Sequence, residues 1–85
     1  MLPDMEHAKG RRSAVHSRDY QFLLKRLREA RSQAGLTQTQ VAKALNRRQS
    51  YVTKCELGER RLDPIDLLRF AKLYKRPVTY FLPNI

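Results

Sequence analysis

Residues 36–58 read LTQTQVAKALNRRQSYVTKCELG, and the two halves of this stretch carry different signals. Thr37 offers a hydroxyl cap, and Gln40 three residues later completes the T-x-x-Q spacing of a capping box. A helix is expected from Gln38 to about Leu45, burying Val41, Ala42 and Leu45. Asn46 then stands where a left-handed turn residue is wanted, a backbone that asparagine tolerates better than most side chains. With Arg47 and Arg48 it makes a connection of a few residues, short enough to force the next helix to cross steeply. That next helix is expected from Gln49 to about Leu57, with Gly58 as its stop and Val52 and Cys55 turned inward. Gln49, Ser50, Thr53 and Lys54, at i, i+1, i+4 and i+5, then share one outward sector. Tyr51 stands at its edge.

Outward from this pair, the periodicity of Phe22, Leu23, Leu24, Leu27, Ala30 and Ala34 predicts a preceding helix, capped by Ser17 and stopped by Gly35. Asp19 falls in its first turn, where a negative charge meets the positive end of the helix dipole. Downstream, Asp63 and Pro64 make an N-cap followed by a proline at the first helical position. The helix they start is expected to run to about Lys75, burying Leu67, Leu68, Ala71 and Tyr74. Arg76 and Pro77 break it, and Val78, Phe81 and Leu82 form one last apolar turn. The expected fold class is all-α, a compact bundle of four to five short helices over residues 17–85, with the helix-turn-helix unit at 37–58. Residues 1–16, carrying Lys9, Arg11 and Arg12 with little periodic apolar content, read as a flexible basic arm.

Composition narrows the function classes. Eighty-five residues make one small domain. A formal net charge of +10, from 18 Lys and Arg against 8 Asp and Glu, attracts polyanions. One cysteine excludes an internal disulfide, and with two histidines it offers no metal-ligand spacing, so neither metal nor cofactor is expected. Cys55 reads as a small buried apolar residue. No apolar run approaches the roughly 20 residues of a membrane span, and a soluble cytoplasmic protein is expected. No nucleophile, base and stabiliser set presents itself, so an enzyme is not expected. Aromatic residues are not interleaved with the basic ones, as single-strand binders require.

The outward sector has the chemistry of base recognition in a DNA major groove. Gln forms paired hydrogen bonds with adenine, Lys favours guanine O6 and N7, and Ser or Thr approaches either. Gln49, Ser50, Thr53 and Lys54 are therefore the expected base-reading residues. Arg47, Arg48, Arg60 and Arg61 flank the helix, where phosphate strands bordering the groove would pass; with Gln38 and Tyr51 they form the expected backbone-contacting set.

From Leu24 to Leu82 the chain resembles the Cro/phage-repressor type (XRE) helix-turn-helix family. The resemblance rests on L-T-Q, the A-x-x-L after it, Q-S-Y-V-x-K, E-x-G and L-L-x-x-A-K, all at that family's spacing. It implies a lambda-repressor-like DNA-binding domain in a bacterial or phage-type, nucleoid-associated regulator. It further implies that Gln38 contacts phosphate and supports Gln49, and that Arg31 and Glu56 form a partly buried ion pair. Four positions depart from the family pattern: Asn46 replaces a glycine, Arg47 an apolar residue, Leu57 a polar phosphate-binding residue and Arg76 an aliphatic one. The functional expectation is a transcriptional repressor binding an inverted-repeat operator in double-stranded DNA as a homodimer, with Tyr80, Phe81, Leu82 and Ile85 as candidates for the dimer contact. The alternative is an antitoxin-like or adaptor module that engages a protein partner and whose DNA binding is autoregulatory.

Overall fold

The computed structural model describes residues 17–84; the N-terminal arm and Ile85 lie outside the described residues. The chain forms α1 (Arg18–Gln33), α2 (Gln38–Ala44), α3 (Gln49–Leu57), α4 (Pro64–Tyr74) and a closing 3-10 turn (Val78–Phe81). No strand occurs among the described residues.

Local chemistry sets each boundary. The Ser17 hydroxyl accepts from the Tyr20 amide at 3.1 Å, and Gly35, at φ +71°, ends α1 in the left-handed region. Thr37 and Gln40 form a reciprocal capping box at 3.1 and 2.9 Å, as do Asp63 and Asp66 at 2.8 and 3.3 Å. Asn46 takes φ +58° in the turn between α2 and α3. That turn closes when the Arg47 amide donates to the Ala42 carbonyl at 2.8 Å. Gly58, at φ +80°, lets the amides of Glu59 and Arg60 both reach the Lys54 carbonyl, at 2.9 and 3.1 Å. Lys75 adopts φ +58° at the end of α4, where a side chain is ordinarily disfavoured.

The core collects one stripe from every helix: Leu24 and Leu27 of α1, Val41 of α2, Val52 and Cys55 of α3, Phe70 of α4, and Phe81 of the closing turn. α1 runs behind the pair, packing on α3, α4 and the 3-10 turn, while α2 and α3 pack chiefly on each other. This arrangement leaves the outer face of α3 free. Two expectations of burial, for Leu68 and Leu45, are corrected. Leu68 is 39% exposed, whereas Phe70 is fully buried: Leu67, Phe70, Ala71 and Tyr74 form the inward stripe at three- and four-residue steps, and Leu68 falls beside it. Leu45, as the C-cap residue of α2, is only half-buried, and Ala34, past the end of α1, is exposed. Of the candidates for a dimer contact, Phe81 is fully buried in the core and Leu82 is exposed beyond the 3-10 turn.

Candidate nucleic-acid interface

The base of the site is an ion pair. Glu56 is 2% exposed, and its carboxylate accepts from Arg31 Nε at 2.6 Å and Arg31 Nη2 at 3.1 Å. The remaining Arg31 Nη1 donates to the Leu36 carbonyl at 3.1 Å, so one guanidinium ties α1 both to α3 and to the chain entering α2. This forked geometry is the strong form of a charged hydrogen bond. The Glu56 hydrogen bond raises the Arg31 pKa above its ordinary value. Arg28 adds a second tie that no local pattern signals, its Nη1 donating to the Glu56 carbonyl at 3.0 Å. A cation on the last turn's unsatisfied carbonyls also complements the negative end of the helix dipole.

From Glu56 a chain of hydrogen bonds runs outward to the exposed face of α3. Gln38 Nε2 donates to Glu56 Oε1 at 2.9 Å, which fixes the orientation of its amide, because a carboxylate accepts and never donates. Gln38 Oε1 is then turned towards α3, where it accepts from the Thr53 hydroxyl at 2.7 Å and from Gln49 Nε2 at 3.4 Å. Gln49 thus has its amide nitrogen directed to Gln38, and keeps its oxygen and its second N–H for another partner. That is the donor and acceptor pair an adenine edge requires.

Gln49, Ser50 and Lys54 are exposed at the start and middle of α3, as the base-reading role requires. With Thr53 and Glu59 they line a hollow of about 320 Å³. Thr53 differs from the other three. Its side chain is half-buried and its hydroxyl proton is shared between Gln38 Oε1 and the Gln49 carbonyl, so the hydroxyl is left only as an acceptor. Glu59 was not among the expected site residues, and it places a carboxylate at the rim of the same hollow.

A larger groove of about 630 Å³ opens beside the start of α3, lined by Asn46, Arg47, Arg48, Ser50, Tyr51, Lys54 and Arg60. Arg48 is the N-cap of α3 and makes no side-chain cap bond, so the positive end of the helix dipole and its free N–H groups adjoin this groove. Arg47, Arg48 and Arg60 are thereby brought together. Arg61 is not: its guanidinium lies against the Tyr20 ring, 5.9 Å from the centroid. The Tyr20 hydroxyl, for its part, accepts from the Leu62 amide at 3.1 Å.

Tyr51, expected as a backbone contact, lines the larger groove and is anchored from behind. Its ring stacks on Phe70 with centroids 6.2 Å apart and planes within 6°. Burial, together with Cys55 and Asp66 nearby, pushes the phenol pKa up to about 12. Arg47 and Arg60 lie over the same ring, at 4.6 and 5.0 Å from its centroid. Leu57, at 61% exposure, is on the surface and offers no polar contact to a backbone.

On a separate part of the surface, Arg26 lies 4.8 Å from the Phe22 ring and 4.5 Å from the Tyr80 ring, and donates to the Tyr80 carbonyl at 3.3 Å. Arg76 lies against Tyr80 at 4.8 Å and donates to Gln33 Oε1. These contacts pin the closing turn to α1 and account for an arginine where the family pattern has an aliphatic residue. Among the described residues no group of His, Cys, Asp and Glu is placed to hold a metal ion, and no helix is long and apolar enough to cross a membrane.

A protein-family model described as a helix-turn-helix domain matches residues 23–79, well over half of the chain, from within α1 to within the closing turn. No curated protein and no solved structure matches the chain.

Proposed function

The chain belongs to this helix-turn-helix domain family, and from that premise we propose that it is a sequence-specific regulator of transcription that reads double-stranded DNA through the major groove and represses by occupying an inverted-repeat operator as a homodimer. The observation that carries the reading is the chain Arg31, Glu56, Gln38, Gln49. It connects the core to an exposed amide at the start of α3, the position from which a recognition helix reaches deepest into the groove. A side chain held at its far end from beneath loses less freedom on meeting a base. Ser50 and Lys54 share its face, and Arg47, Arg48 and Arg60 supply a sequence-independent attraction to the flanking phosphates.

In a homodimer the two α3 helices would enter successive major grooves about 34 Å apart. Footprinting on a selected duplex tests this: two protected half-sites one helical turn apart are expected, and a single short protected site would show a monomeric reader. The protein-partner reading draws on a different feature, an apolar hollow of about 300 Å³ lined by Leu23, Leu62, Pro64, Leu67, Val78 and Leu82 with Asp63 at its edge. Co-expression with the product of the neighbouring gene decides it. A stable complex that closes this hollow, with DNA binding retained, would favour the antitoxin-like or adaptor role.

A further inference from the structure

The groove beside the start of α3 gathers four cations. Arg47, Arg48, Lys54 and Arg60 line it, and no carboxylate does. Among the described residues the side chains of these four make no ion pair and no hydrogen bond. Two of them are nevertheless held in place. Arg47 and Arg60 both lie over the Tyr51 ring, which confines the two charges to within about 10 Å of each other, no more than a Debye length at moderate salt. The ring is itself fixed by its parallel stacking on the fully buried Phe70.

We propose that Tyr51 is a positioning residue whose ring holds Arg47 and Arg60 as the two prongs of a single seat, so that one backbone phosphate of bound duplex DNA is gripped by both guanidiniums beside the start of α3. The proposal rests on the DNA-binding reading above and adds which phosphate contacts are coupled and through what. Two like charges gathered at one ring favour an anion that both can approach. A phosphate has oxygens enough to accept from both forks, and guanidinium geometry suits it. Stacking on an aromatic face restricts each long side chain before binding, which lowers the ordering cost when the phosphate arrives. The ring face carries this role, while the phenol lies near Cys55 and Asp66.

The test measures affinity against salt concentration for a duplex recovered from a random pool and for a random duplex. It compares the intact chain with Tyr51→Phe, Tyr51→Leu, Arg47→Gln, Arg60→Gln and the double Arg47→Gln/Arg60→Gln variant. Tyr51→Phe should bind within about twofold of the unaltered protein. Tyr51→Leu should bind both duplexes about three- to tenfold more weakly, without a change in base preference, as expected for loss of an exposed cation–π support. The double arginine variant should lower the slope of log affinity against log salt by about one unit, the value for one phosphate, and the two single losses should not add. Equal losses for Tyr51→Phe and Tyr51→Leu, no loss for Tyr51→Leu, or additive arginine effects with a slope change of about two would each overturn the shared seat. Circular dichroism checks that Tyr51→Leu folds; if it does not, the arginine cycle alone decides. Absence of any duplex binding by the unaltered protein would instead overturn the DNA-binding reading and the seat with it.

Discussion

Replacing Glu56 with glutamine keeps the shape of the side chain and removes its charge. In the native protein two oxygens accept three donors, Arg31 Nε, Arg31 Nη2 and Gln38 Nε2, at 2.6, 3.1 and 2.9 Å. A glutamine offers one oxygen and one NH2, so in either orientation at least one donor faces another. Arg31, whose side chain is 22% exposed, would keep its charge while losing the countercharge and one of its two bonds to this side chain, leaving a single glutamine oxygen, the Leu36 carbonyl and limited water to satisfy it. Removing one partner of a buried pair costs about 3–5 kcal/mol. Because Arg31 keeps some solvent access, a loss of about 2–4 kcal/mol is expected. A domain of this size has roughly 4–10 kcal/mol in total, so Glu56→Gln should be marginally folded at room temperature. Urea denaturation followed by far-ultraviolet circular dichroism measures it, with Arg31→Met and the double variant completing a cycle. A coupling that makes the double variant less destabilised than the sum of the single ones is expected. A loss under about 1 kcal/mol, the range of an exposed pair, or strict additivity, would refute the reasoning that this ion pair anchors α1 to the recognition helix.

Gln49→Ala should relax base preference at one position and cost about 1–3 kcal/mol on the preferred duplex, read by competition between preferred and variant sites. Arg48→Ala should weaken binding to all duplexes alike and lower the salt slope by about one unit; a loss confined to the preferred duplex would make Arg48 a base contact instead. Stability should fall in alkaline solution. Burial raises the Cys55 thiol from 9.0 to about 11 and the Tyr51 phenol from 10.0 to about 12, and lifts Tyr74 as well, its hydroxyl buried with no partner among the described residues. The folded state therefore holds these protons more tightly than the unfolded chain. Their stabilisation is fully present below about pH 9 and is lost as the pH rises through the folded values. Denaturation midpoints that stay flat from pH 9 to 12 would contradict this burial.

The helix boundaries were legible because they are local. Ser17, Thr37 and Asp63 cap within three residues of themselves, and Asn46, Gly35 and Gly58 are the residue types that take positive φ at little cost. The outward sector of α3 was legible for the same reason, since helical spacing alone places Gln49, Ser50 and Lys54 together. What escaped depends on residues far apart in the chain. In α4, Ile65, Leu67, Leu68, Phe70, Ala71, Leu73 and Tyr74 offer more apolar positions than one face can bury, so periodicity alone did not choose Phe70 over Leu68. Arg28 on the Glu56 carbonyl and Arg26 on the Tyr80 carbonyl join segments with no local signal between them. The Tyr51 ring as a support for Arg47 and Arg60 needed Phe70 in place behind it. The Arg31–Glu56 pair was suggested by the family resemblance and not by spacing; without it Glu56 reads as a surface charge, yet it is among the least exposed polar residues.

Selection of bound duplexes from a random DNA pool, at one stated salt concentration and with Gln49→Ala carried in parallel, tests most directly whether α3 reads bases. Enrichment of a defined half-site by the unaltered protein is expected, with one position of that half-site degenerate for Gln49→Ala. A pool that stays random while the protein still binds it would show a basic surface that grips phosphates without reading sequence, and would contradict base reading by Gln49, Ser50 and Lys54.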